Sequence, residues 1–125
     1  MAIENIKPHQ KLDVWQQSMV LVKEIYAVSS TFPAQEIYGL TNQMRRAAVS
    51  IPANIAEGAA RSGDKEYLHF LSIARGSLSE LDTHIQIAAM LGYLTENQSL
   101  QDLIDTVGKL LSGFTKKLKV DVEKK

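Results

Sequence analysis

The run Gln43-Met-Arg-Arg-Ala-Ala-Val-Ser-Ile-Pro-Ala-Asn-Ile-Ala-Glu-Gly-Ala-Ala-Arg61 decides the fold of this chain. Met44, Ala47/Ala48, Ile51 and Ile55 recur at three- and four-residue steps, the period of a helix with one buried face. Pro52 stands inside that helix, where it deletes a backbone donor and crowds the preceding turn at a cost of about 3 kcal/mol. The spacing therefore predicts a helix that continues through Pro52 and bends near it. Small residues around the proline (Ala47, Ala48, Ser50, Ala53, Ala56) leave room for a neighbouring helix to come close.

Outward from this run the same period recurs. Asp13 is a candidate N-cap for a first helix with Val14, Ser18, Leu21/Val22, Ile25 and Val28 on one face, ended by Phe32-Pro33. The helix that contains Pro52 begins near Ile37–Leu40. Arg61 to Asp64 reads as a turn, with Asp64 capping a third helix. Leu71, Ala74, Leu78, Leu81, Ile85 and Ala88 form the seam of that helix, and Gly92 closes it. A second apolar row on it (Tyr67, Phe70, Ile73, Ile87) suggests burial against another subunit or a broad core-facing surface. Thr95-Glu-Asn-Gln98 reads as a capping box opening a fourth helix, with Leu100, Leu103, Val107, Leu110, Phe114 and Leu118 inward. No segment alternates as a half-buried strand would.

The expected fold is all-α: an up-down-up-down four-helix bundle over residues 12–119, preceded by an extended arm (1–11) and followed by a charged, fraying tail (120–125).

Composition narrows the function classes. The 125 residues suffice for one domain with its own core. There are no cysteines, which rules out disulfides, thiol nucleophiles and cysteine-based zinc sites. Fourteen basic and fourteen acidic residues give a formal charge of zero, so any contact with nucleic acid must come from a local patch or a ring of subunits. No signal peptide and no apolar stretch near the roughly 20 residues of a membrane span is present, so a cytoplasmic protein is expected, with no membrane partner.

Catalytic signatures are missing: no phosphate loop, no His-Glu-x-x-His and no nucleophile elbow. His69 and His84 lie on one predicted helix, separated by on the order of 22 Å of rise, and cannot share a metal; His84 is expected on a solvated or interface face. No enzyme activity, cofactor or metal is expected.

The polar residues of the opening run admit two readings. In one, Asn54 and Glu57 form an internal network with Arg75 and Glu80 of the third helix, and Asn54 caps carbonyls freed by Pro52. In the other, Arg45, Arg46, Arg61 and Lys65 form a phosphate-binding patch near one end of the bundle. Arg45 and Arg46 project about 100 degrees apart, so both cannot serve the same contact.

The phrase from Arg45 to Gly58, with Leu12-Asp-Val-Trp15 before it and Phe70-Leu-Ser-Ile-Ala-Arg-Gly-Ser-Leu-Ser-Glu-Leu81 after it, resembles the bacterial four-helix-bundle proteins encoded in 23S rRNA intervening sequences. Phe32-Pro33, Tyr38-Gly-Leu40 and Leu91-Gly-Tyr-Leu94 fit the same pattern, which spans about Leu12 to Leu118. Relatives of that family include the accessory variability protein of diversity-generating retroelements. The resemblance implies a homopentameric bundle. It also implies a scaffold or adaptor for RNA or an RNA-associated protein, since the basic retroelement relative binds nucleic acid and a reverse transcriptase. The alternative is a protein–protein interaction module without nucleic acid.

Overall fold

The computed structural model describes residues 6–124 and consists, among these residues, of four helices with no strand. The helices are α1 (Asp13–Ser29), α2 (Leu40–Ala59), α3 (Asp64–Met90) and α4 (Gln98–Glu123). Each packs on its neighbour in sequence and α4 closes onto α1, while the diagonal pairs stay apart. This is the up-down-up-down four-helix bundle. The α2–α3 pair is the most extensive contact.

The inward rows expected for α2 and α3 are buried at every position, and so are Val14, Ser18, Leu21 and Ile25 of α1. In α4 the buried row is Leu100, Ile104, Val107, Leu111, Thr115 and Leu118. Leu103, Leu110 and Phe114, expected inward, are only half-buried on its flank. Two adjacent leucine rows satisfy the same spacing, and only packing against α1 and α3 chooses between them.

The ends of the helices also differ from expectation. Leu12 and Gly63, not Asp13 and Asp64, occupy the N-cap positions of α1 and α3; both aspartates lie in the first turn, where a carboxylate favours the helix dipole. Asn97 rather than Thr95 caps α4, its side chain accepting from the Leu100 N–H at 3.1 Å. Asparagine is at least as good a cap as threonine, and the helix starts two residues later to use it. Gly92 takes a φ of +80°, and the N–H groups of Gly92 and Tyr93 return to the carbonyls of Ala89 and Ala88. That pair of bonds is the Schellman closure, and a left-handed residue at that place favours glycine.

The arm and tail are more ordered than expected. Residues 1–5 lie outside the described residues, but Pro8–Lys11 forms a 3-10 turn packed on α1 and α2. α4 continues past Lys119 to Glu123.

Pro52 sits inside α2, buried, with the helix continuing on both sides. Nearly two turns further on, Gly58 is a point of close approach of α2 to α3. A methyl group there would stand 2.7 Å from the Tyr67 ring and 3.0 Å from Phe70 Cβ. The second apolar row of α3 is thus partly explained within one chain, since Tyr67 and Phe70 pack over Gly58, and Tyr67 also meets Phe114 edge-on at 5.2 Å.

Candidate nucleic-acid interface

The basic residues of the opening run do not assemble into one patch. Arg45 and Arg46 lie in the second turn of α2, while Arg61 and Lys65 flank the turn beyond its other end. The length of helix between them puts the two pairs on the order of 20 Å apart, which corrects the expectation of a single phosphate-binding cluster.

Arg61 is bound by its own surroundings. Its guanidinium donates to Glu57 at 2.5 Å, approaches Glu66 at 3.9 Å and lies 4.8 Å from the Phe70 ring centroid. Two carboxylates cancel its charge, so this end offers little to a phosphate. Lys65 is exposed beside it.

Arg45 is a bracket between helices. Its Nε donates to Ser29 Oγ at 2.9 Å and its Nη2 reaches the Tyr26 carbonyl at 3.5 Å. The guanidinium carbon lies 4.5 Å from the Tyr26 ring centroid. Carbonyls of the last turn of α1 lack helical donors, and a cation there also complements the helix dipole. Arg46, one residue on, is exposed.

Arg45 and Arg46 line a cleft of about 600 Å³ with Tyr26, Ile37, Tyr38, Asn42 and Val49. The cleft has no carboxylate and no imidazole in its wall. Tyr38 is 92% exposed. Its connection is held in shape from within: Gly39 N–H returns to the Glu36 carbonyl, and one Glu36 oxygen accepts from the Leu40 N–H while the other accepts from the Tyr93 hydroxyl. The hydrogen bond to Glu36, with burial and the Glu36 charge behind it, raises the pKa of Tyr93 above the usual tyrosine range. Burial, with Asp64 second, does the same for Tyr67.

A larger groove of about 830 Å³ runs between α3 and α4, but its wall mixes Arg75, Lys109 and Lys116 with Asp82 and Asp105. Its three cations are offset by two carboxylates, whereas the two cations of the α1–α2 cleft share its wall with none.

Of the residues expected in the internal network, Asn54 takes part, with Ser50 and Ser77 as its partners in place of Glu57, Arg75 and Glu80. Asn54 donates to the Ser50 carbonyl at 2.8 Å and to Ser50 Oγ at 2.9 Å, and Ser50 Oγ meets Ser77 Oγ of α3 at 2.8 Å. Asn54 therefore serves Ser50, not the Ala48 carbonyl that Pro52 leaves without a donor. Glu57 turns to Arg61, and Arg75 and Glu80 are exposed on α3. His84, expected on a solvated or interface face, is 7% exposed within one chain, and its Nδ1 has no hydrogen-bond partner among the described residues.

Tyr26, Tyr38 and Val49 were not read from the sequence as site residues, because Tyr26 and Val49 lie off the buried rows of their helices, Tyr38 lies in a connection, and none carries a charge. The available signal was a large aromatic, Tyr38, beside a glycine in a short connection, where packing has no use for it.

Among the described residues no helix is long and apolar enough to cross a membrane, and no group of three His, Asp or Glu side chains is placed to hold a metal. No curated protein matches the chain. Among solved structures it is similar to a protein of unknown function from the S23 ribosomal protein family of Bacteroides thetaiotaomicron. The two are 22% identical with a TM-score of 0.75, over 82% of this chain and 95% of that one, a likeness of fold. The family model for the 23S rRNA-intervening sequence protein matches residues 10–113. With that match extending over most of its length, the chain belongs to the family of 23S rRNA-intervening sequence proteins.

Proposed function

We propose that this chain is a non-enzymatic, homopentameric helical-bundle scaffold, acting in the cytoplasm as an adaptor for RNA or an RNA-associated protein. The observation that supports assembly is a set of exposed apolar side chains on two helices that do not touch each other. α1 exposes Met19 and Val20; α3 exposes Ile73 and Met90, and Leu91 is exposed just beyond its end. α1 and α3 are diagonal, so these side chains belong to separate parts of the bundle surface. A closed ring is built from heterologous contacts, in which one face of each subunit meets a different face of the next. The number five follows from the family resemblance. The wall of the α1–α2 cleft holds no carboxylate and no imidazole, the side chains most used in general acid–base catalysis.

Light scattering on the eluted protein tests the assembly. Five chains of 13.9 kDa should give about 70 kDa, and Met19→Glu or Ile73→Glu should each lower that mass without unfolding the bundle. A monomeric mass for the unmodified chain at micromolar concentration would end the proposal. The competing reading is an interaction module without nucleic acid, which the zero net charge favours. It predicts no RNA binding even at low salt, where electrostatic contacts are strongest.

A further inference from the structure

We propose that the cleft where the end of α1 meets the start of α2 is a seat for single-stranded RNA, with one base stacked on Tyr38 and the neighbouring phosphate held by Arg46. This rests on the adaptor reading above and adds where the RNA lies and in what form. Three observations carry it. First, charge is segregated here in a chain that is neutral overall: two guanidiniums and no carboxylate line the cleft. Glu36 is in the adjoining connection, but its oxygens are engaged by Leu40 N–H and the Tyr93 hydroxyl. Arg45 is committed to Ser29 and Tyr26, leaving Arg46 as the cation that faces solvent.

Second, Tyr38 leaves its ring almost wholly in water on a connection fixed by its own hydrogen bonds. An exposed aromatic ring beside an arginine is a platform for an unpaired base, because every base has a π-face and each step of the chain brings a phosphate. Third, the remaining wall suits such a ligand. Ile37 and Val49 are exposed apolar surface for the flat of a base, and about 600 Å³ is room for a nucleotide or two. An apolar peptide would cover Ile37 and Val49 but leave Arg46 unpaired. A duplex would keep its bases stacked on one another and away from Tyr38.

The test is fluorescence anisotropy of a labelled oligouridine dodecamer with the full chain at about 50 mM salt, repeated with the matching DNA strand and with duplex RNA. The expected order is single strand above duplex, with the RNA and DNA arms separating a 2′-hydroxyl contact from stacking alone. Tyr38→Ala should weaken binding by about 5-fold or more, the measured range for one stacked base, while Tyr38→Phe retains it. Arg46→Ala should lower the slope of log affinity against log salt by about one. Lys116→Ala, in the α3–α4 groove, should stay within about twofold, since screening isolates distant charges. Binding that survives Tyr38→Ala and Arg46→Ala unchanged overturns this cleft and leaves the RNA-adaptor reading standing, as does a preference for duplex. Absence of any binding at low salt overturns both the cleft and direct RNA binding by the adaptor.

Discussion

Replacing Gly58 by alanine sets two effects of opposite sign against each other, and the structure says which wins. Alanine is favoured over glycine in a helix by about 1 kcal/mol, so an unhindered Gly58→Ala would stabilise α2. Here the new methyl would stand 2.7 and 3.2 Å from two atoms of the Tyr67 ring and 3.0 Å from Phe70 Cβ. The Tyr67 ring is held edge-on against Phe114, and Phe70 Cβ is fixed to the backbone of α3. Neither can swing aside, so α2 and α3 must separate. Overpacking of this kind costs about 1–3 kcal/mol, which leaves a net loss of about 1 kcal/mol and a midpoint lower by a few degrees. Gly76→Ala is the matched control. It too lies in a helix, but its methyl would meet nothing within 4 Å, and it should gain about 0.5–1 kcal/mol. Urea denaturation at one protein concentration reads both, with the slope unchanged if only native stability moves. In a Tyr67→Ala background the Gly58→Ala penalty should shrink. Should Gly58→Ala prove as stabilising as Gly76→Ala, the close approach of α2 and α3 at this residue is wrong.

Other substitutions test the remaining contacts. Arg45→Ala should destabilise the bundle by about 1–2 kcal/mol in urea, through loss of the Ser29 bond and the stack on Tyr26, whereas Arg46→Ala should stay within about 0.5 kcal/mol. Pro52→Ala restores a donor to the Ala48 carbonyl but removes a buried ring, and should raise stability by about 1 kcal/mol; a loss would show that the packing of the ring dominates. For Tyr93 the folded chain holds the phenol proton more tightly than the unfolded one does. Its contribution to stability is therefore complete below the ordinary tyrosine pKa of about 10 and is lost as pH rises through the folded value. Tyr93→Phe should flatten the fall of stability at alkaline pH without abolishing it, because Tyr67 titrates in the same sense.

The four helices and the cores of α2 and α3 were legible in the residues because each of those helices has one dominant buried row. α4 was not, since Leu103 and Leu110 compete with Ile104 and Leu111 at the same spacing, and its neighbours make the choice. The N-cap of α4 moved by two residues because Thr95 and Asn97, both capping residues, stand close together, whereas the N-caps of α1 and α3 are Leu12 and Gly63, with no side-chain cap to signal them. The polar face of α2 was visible as a pattern, but its partner was Ser77, a residue with no charge to attract notice, instead of Arg75 or Glu80. The separation of Arg45/Arg46 from Arg61/Lys65 follows from the length of α2 and could have been computed from the residue numbers alone. The cleft could not, because Tyr26 and Tyr38 meet Arg45 and Arg46 only when α1 has folded back along α2.

Sedimentation equilibrium of the unmodified chain with a labelled oligouridine, followed at the wavelength of the label, tests the adaptor scaffold most directly. The RNA should sediment with a species of about five chains at low salt and be released as salt rises. RNA that sediments as free oligonucleotide beside a monomeric chain would contradict both halves of the claim.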